Sequence, residues 1–397
     1  MLTPVIDDET IHWTIDVRRR LHRNPDLTGE EESTQRIVLS ILDELGIRTR
    51  PISDYGVLAE IEGFHHGRTV ALRADMDALR ITEVPTERNV EYISSKDGVM
   101  HACGHDGHMA MVLGAARTLN IMRDSLPGTV RLLFQPHEEA YPGGAPDMIE
   151  EGALEGVDAI LGLHIMGYLP VGQVAFRAGD LMAHITRFKV KFIGKSGHHM
   201  DPDQCIDPIV MASRFIGGLE RDVSNELDPT HSWVLGFGEI HGGTQFNQTP
   251  DEVVLEGTYR TFNKEDPDSI RSVMERTLHG LVKVLRKGEN EETPNFELDI
   301  EEGHPVVQND PMLASRAAGI LREARFDVDS CTRLNFGAED FACYAKEVPA
   351  LFMFLGTNNP GKGITAVNHS SRFDIDEDVL EVGVNALVVL TQDLLGD

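Results

Sequence analysis

Between Met100 and His108 the chain reads MHACGHDGH, nine residues holding three histidines, one cysteine and one aspartate. Coordinating side chains at this density are costly to bury unless something binds them. Cys103 and His105 stand two apart, just ahead of a helical pattern, and can turn toward one cation. The pair alone is equally compatible with ordinary core or surface histidines. Three further signals bear on the choice. HEE, His137 to Glu139, follows the strand-like run TVRLLFQP, and the C-terminal ends of strands are where α/β sheets bind ligands. Adjacent carboxylates repel, so a natural division has one ligating and the other moving protons; the alternative is a solvated charge run. His164 closes the apolar run VDAILGLH, and His369 sits in VNHSSRFD, between a strand and the last helix. Singly, each reads as a core or surface histidine. Together they set metal-capable groups at several strand ends of one sheet, and a metal site is the better reading.

The elements that must carry these groups alternate. Amphipathic helices are expected over Glu9–His22, capped by Asp7, and over Glu31–Leu45, which stops at Gly46. Strands over Val57–Gly63, Thr69–Asp75 and Thr129–Pro136 follow, with a helix from about Gly107 between the last two. A strand buried on both faces ends at Ile165. This is the pattern of an α/β domain with a mostly parallel sheet. After Ala183 the order becomes β-α-β-β-α-β, with helices over Ile206–Leu227 and Asp266–Lys287, which is ferredoxin-like. From His304-Pro305 the α/β pattern resumes, with a helix over Pro311–Arg325, a strand over Leu351–Gly356 and a helix from Asp376. Residues 183–302 are therefore expected as a domain inserted between catalytic segments 1–182 and 303–397.

A length of 397 residues suits two domains, and 41% hydrophobic with 25% charged residues is a globular composition. No apolar run reaches the ~18 residues of a membrane span, and acidic residues stand where a signal peptide needs basic ones, so a cytoplasmic protein is expected. A net charge of -29 argues against nucleic acid or anionic membrane as partners. The four cysteines form no C-x-x-C pair and read as reduced thiols, one of them available as a ligand.

RADMDAL (Arg73 to Leu79), MHACGHDGH, FQPHEE, LGLHI, GKSGHH, NQTPDEVVLEGTYRTF, FGAEDF and NHSSRFDIDED occur in that order over essentially the whole chain. They resemble the metal-dependent amidohydrolases that include hippurate hydrolases, auxin-conjugate hydrolases and N-acyl-amino-acid deacylases, within the aminoacylase and carboxypeptidase-type metallopeptidases. The resemblance implies a zinc-peptidase-like catalytic domain with an inserted ferredoxin-like lid that pairs in a homodimer. It implies two divalent ions per subunit (Mn, Zn, Ni or Co) on Cys103, His105, Glu139, His164 and His369, with a bridging water. Glu138 would be the general base, Asp77 would orient a ligand histidine, and Asp106 would do likewise or cap a loop. His198 would reach a neighbouring subunit's site to stabilise the oxyanion, while Asn247 and Arg260 would hold the α-carboxylate of an N-acyl amino acid. The other readings open here are a dipeptidase or carboxypeptidase of the same superfamily and a metal- or ligand-binding protein without turnover. Arg80, His137, Asp147 and the run from His199 depart from the usual residues near the expected substrate entrance. They bear on which acyl group is taken. Asn368, in N-H-S, reads only as an idle glycosylation sequon.

Overall fold

The computed structural model describes residues 6–64, 67–285 and 293–396. Two compact units emerge: one comprises the chain up to Leu181 with Val307–Leu334 and everything from Glu339, the other Met182–Val306 with Asn335–Ala338.

The first unit is built on an eight-stranded sheet in the spatial order Arg48–Ile52, Gly56–Glu62, Thr129–Gln135, Thr69–Asp75, Ala159–Pro170, Ala350–Asn358, Gln173–Ala175, Asp327–Asp329. The four central strands run parallel. The adjoining strand on either side, Gly56–Glu62 and Gln173–Ala175, runs antiparallel to them. Thr69–Asp75, Ala159–Pro170 and Ala350–Asn358 are buried along nearly their whole length, as parallel strands covered on both faces must be. The helix His105–Ile121 is almost wholly buried and packs against Asp8–His22 and Asp378–Leu395. Close packing there depends on Gly114, where a Cβ would stand 2.6 Å from Thr14 Oγ1 and 2.8 Å from Val384 Cγ2. Asp7 caps the first helix by accepting the Thr10 N–H at 2.8 Å, as the sequence suggests.

Two boundaries differ from the sequence reading in ways that matter for the site. The helix expected from Gly107 begins at His105, and the strand expected to end at Ile165 runs on to Pro170. Pairing of Gly356 with Met166 and Asn358 with Pro170 carries the strand beyond the apolar run, as far as Pro170. His164 therefore lies within a strand and not at its tip.

The second unit has four antiparallel strands in the spatial order Trp233–Gly242, Glu252–Thr261, His184–Ile193, Asn295–Glu302. Helices Pro208–Glu226 and Asp266–Leu285 cover one face, completing the ferredoxin-like arrangement. Phe188, Val190 and Phe192 point into that core, against Phe215, Leu219 and Met274. Their neighbours Arg187, Lys189 and Lys191 lie on the other face, paired with Glu256 and Glu252 of the adjacent strand. Period-two alternation thus sorts one strand into a core side and an ion-paired side. Among the described residues no helix is long and apolar enough to cross a membrane.

Candidate active site

Gly104 is the pivot of the site. It precedes the helix His105–Ile121 in the left-handed conformation, φ 95°, which glycine adopts without steric penalty. The turn leaves Cys103 ahead of the helix and makes His105 its first residue. His164 approaches from its strand. Its Nδ1–H donates to the Ile165 carbonyl at 2.8 Å, and Nε2 faces the Cys103 sulfur at 3.4 Å. His369 enters from the loop after Ala350–Asn358, its Nε2 3.3 Å from the same sulfur and 3.4 Å from Glu139 Oε1. The His369 backbone is itself left-handed, φ 66°, an unfavourable setting for histidine. Its N–H donates to the Ala102 carbonyl at 2.8 Å, which helps hold it there. Asn368 donates to the carbonyls of Cys103 and Ile165 and accepts the Gly167 N–H. An apparent sequon is in fact a staple joining three segments of the site.

Cys103, His105, Glu139, His164 and His369 form one connected cluster. Donor atoms of Cys103–His105–His164, of Cys103–Glu139–His369 and of His105–Glu138–Glu139 each lie within 4.8 Å of one another. Both ring nitrogens of His105, Glu139 Oε1 and Asp77 Oδ1 are buried without a hydrogen-bond partner. Buried polar atoms are seldom left unpaired. A thiol, three imidazoles and a carboxylate converging in overlapping triads fit divalent cations, and more than one tetrahedral site's worth of ligands is present. Burial, and then the charges of Glu139, Glu138 and Asp75, push the Cys103 thiol well above the ordinary thiol range; a cation among these groups would reverse that tendency. Burial holds the His164 ring well below its usual value.

The other two histidines of MHACGHDGH serve different ends. His108 donates from Nδ1 to Asp75 at 2.7 Å and accepts the Ile165 N–H on Nε2 at 2.8 Å. His101 is buried, and burial pushes it down to about 4. Asp106 faces away from the cluster: its Oδ2 accepts from Arg18 at 2.7 Å and pairs with His22 at 2.8 Å. It anchors the start of the helix to the first helix of the chain and orients no clustered histidine.

Beneath the cluster lies an acidic shell around one buried cation. Arg73 donates to Gln135 at 2.8 Å, Asp75 at 2.8 Å, Glu339 at 2.9 Å and Asp340 at 2.7 Å. Carboxylate oxygens of Glu138, Glu339 and Asp340 fall within 4.8 Å of one another. Burial first, then the charges of Glu339, Glu139, Asp340 and Asp77, hold the Glu138 carboxyl well above the usual carboxylate range. For His105 burial opposes the charge, yet Asp75, Asp77 and Glu139 outweigh it and push the ring up to about 10.

Asp77 ties the pieces together. Its Oδ1 stands 3.4 Å from His105 Nδ1, and its Oδ2 accepts the Glu139 N–H at 2.9 Å and the Thr28 hydroxyl at 2.6 Å. Glu31, which the sequence offers only as a helix start, is fully buried. It accepts the N–H groups of Gly29 and His137 at 3.0 and 2.9 Å, and burial raises its carboxyl to about 7. His137, like His369, is left-handed, φ 68°, so Glu31 fixes the turn that aims Glu138 and Glu139. Glu31→Ala is expected to lower stability by about 1–3 kcal/mol through the unpaired N–H groups, with Glu31→Gln closer to wild type. Denaturation midpoints decide it, and an alanine variant as stable as wild type would refute the assignment.

His198, Asn247 and Arg260 all belong to the second unit. Gly197–His198 pairs with Gln248–Thr249, and the His199 N–H donates to the Asn247 carbonyl at 3.2 Å, so His198 and Asn247 are neighbours. Arg260 donates to the Phe336 carbonyl at 2.7 Å and pairs with no carboxylate among the described residues. Burial lowers its pKa.

A thiol, three imidazoles and a carboxylate gathered beside the buried Glu138 carboxyl suit a metal-dependent amidohydrolase. The chain belongs to peptidase family M20/M25/M40, which it matches over residues 71–393. It is 37% identical over 381 residues to thermostable carboxypeptidase 2 of Saccharolobus solfataricus, covering 95% of this chain and 94% of that one. It is 39% identical over 368 residues to an N-acetyl-L-cysteine deacetylase of Bacillus subtilis, covering 91% and 83%. A Bacillus subtilis crystal structure described as a dinuclear metal-binding peptidase of the M20 family matches with TM-score 0.83 and 33% identity, over 98% of this chain and 99% of that one.

Proposed function

We propose that this amidohydrolase cleaves the amide bond of N-acyl amino acids, using two divalent ions held by Cys103, His105, Glu139, His164 and His369 with Glu138 as general base. The observation that carries the reading is the pair Glu138–Glu139, in which Glu139 joins the cluster of ligand atoms while its buried neighbour sits beside it with a raised pKa. Ions bound there would polarise the amide carbonyl and lower the pKa of an attacking water. Glu138 then takes a proton from that water and returns it to the leaving amine, the two roles that a carboxyl with a raised pKa suits. Asp77 keeps the His105 ring and the Glu139 backbone in place while this happens. Arg260, with no carboxylate partner among the described residues, and Asn247 would bind the substrate α-carboxylate, for which a guanidinium offers a bidentate fork. The reading is of a cytoplasmic enzyme whose cysteines act as reduced thiols.

Carboxypeptidase or dipeptidase action is the second reading, favoured by the likeness to a thermostable carboxypeptidase. Rates for a panel of N-acyl amino acids and dipeptides, with Zn, Mn, Ni and Co each reconstituted, separate the two. Faster turnover of dipeptides than of every N-acyl amino acid would overturn the first. A thiolate ligand favours Zn, Ni or Co over Mn. Cys103→Ser should therefore lose at least one ion per subunit by elemental analysis; full retention of metal and activity would return the cysteine to packing.

His198 is proposed to act from a second subunit of a homodimer formed through residues 183–302. Mixing Glu138→Gln with His198→Ala subunits, and allowing exchange, should restore part of the activity, since one site per heterodimer has both residues intact. Exchange without recovery would show that His198 does not act across subunits.

A further inference from the structure

A cavity of about 290 Å³ opens beside Glu139, lined by Leu27, Thr28, Glu30, Leu79, Arg80 and two alanines at 78 and 140. Its walls are built rather than draped. Leu27 and Ala78 form a parallel bridge, the Ala78 N–H donates to the Asp26 carbonyl at 2.7 Å, and Leu79 and Met100 exchange two hydrogen bonds at 3.0 Å. The Glu30 N–H donates to the Leu27 carbonyl at 2.8 Å, and Thr28 reaches Asp77, which also holds the Glu139 backbone. Glu30 and Arg80 therefore project from backbone fixed with respect to the ligand cluster, the condition for a charged side chain to discriminate between ligands.

Glu139 belongs to the cluster. The two remaining charges, Glu30 and Arg80, are exposed side chains that line one cavity, yet neither forms an ion pair or a side-chain hydrogen bond with the other or with any other described residue. We infer that this cavity is an acyl-group subsite selecting a short chain that ends in both an ammonium and a carboxylate, the first met by Glu30 and the second by Arg80. The inference rests on the reading of the enzyme as an N-acyl-amino-acid hydrolase. Leu27, Leu79 and the alanines provide the apolar wall for a methylene stem, and the volume sits at the small end of ligand sites, about 300–1,000 Å³. A purely anionic tip would gain Arg80 but face Glu30, and a purely cationic tip would meet the reverse. Only a zwitterionic end answers both charges, which is discrimination by repulsion as well as attraction.

Four acyl derivatives of one amino acid test this: γ-glutamyl, which carries both charges; glutaryl, which lacks the ammonium; 4-aminobutanoyl, which lacks the carboxylate; and butanoyl, which lacks both. The γ-glutamyl compound should exceed each singly charged one in kcat/KM by about fivefold or more, given charge-assisted contacts at a partly solvated site. In Arg80→Ala the γ-glutamyl to 4-aminobutanoyl ratio should fall toward one, and in Glu30→Gln the γ-glutamyl to glutaryl ratio should do the same. Ratios measured within one variant cancel any change in the amount of active enzyme. Equal rates for all four compounds, a glutaryl or 4-aminobutanoyl compound leading, or ratios indifferent to both substitutions would each overturn the subsite. If neither the butanoyl nor an acetyl derivative is hydrolysed while ordinary dipeptides are, the N-acyl reading falls, and the subsite with it.

Discussion

Glu138→Gln is expected to bind as many divalent ions as the wild type while kcat falls about 10²- to 10⁴-fold. The substitution keeps the shape of the side chain and removes its ability to accept a proton. Glu139, with Cys103 and His369 around it, is untouched, so the proposed ligand set is intact. The position is also one where an amide is tolerated: Glu138 is buried among Glu139, Glu339, Asp340 and Asp77, a setting that favours an uncharged side chain, and glutamine is uncharged. The variant should therefore be at least as stable as wild type, which separates a catalytic loss from a folding defect. Metal content by elemental analysis, kcat and the melting temperature settle the matter together. Loss of an ion would make Glu138 a ligand, and retention of more than a tenth of the rate would remove it as the base.

What the sequence reveals of this site, and what it conceals, follows from distance along the chain. Cys103, His105, Glu139, His164 and His369 are conspicuous in the sequence because coordinating residue types crowd a short motif or interrupt and follow apolar runs, and the structure does gather all five. The four-stranded unit is legible because its strands alternate and its helices carry one apolar face. Arg73 is not legible as the centre of a charge cluster. Its partners Glu339 and Asp340 lie 266 and 267 residues away, and no local pattern links an arginine inside an apolar strand to a distant acidic pair. Glu31 and Asn368 hide for another reason: a glutamate at a helix start and an asparagine in a loop have ordinary solvated readings. Only burial, and the N–H and carbonyl groups they meet, reveal them as the ties that hold the ligand turns. Sequence shows the donors; the parts that aim them are made by the fold.

Arg73→Met should cost about 3–5 kcal/mol of stability, the range for removing one partner from a buried charge network. Arg73 is 1% exposed, and Asp75, Glu339 and Asp340 are no more exposed. Methionine fills much of the volume but leaves Asp75, Glu339 and Asp340 in a low-dielectric interior without the guanidinium that they share. Some of that burden would be relieved by protonation, and all of it bears on the same unit that holds the ligand cluster. The chain's two tryptophans, Trp13 and Trp233, fall in different units. In a Trp233→Phe background, Trp13 fluorescence in urea therefore reports the first unit alone. Adding Glu339→Gln and Asp340→Asn to Arg73→Met removes two of the stranded charges and should recover a good part of the loss, which a simple packing defect would not. A single variant within 1 kcal/mol of wild type, as a ~1 kcal/mol shift is typical of ordinary substitutions, or a triple variant less stable than the single one, would show that Arg73 is not what holds these carboxylates together beneath Glu138.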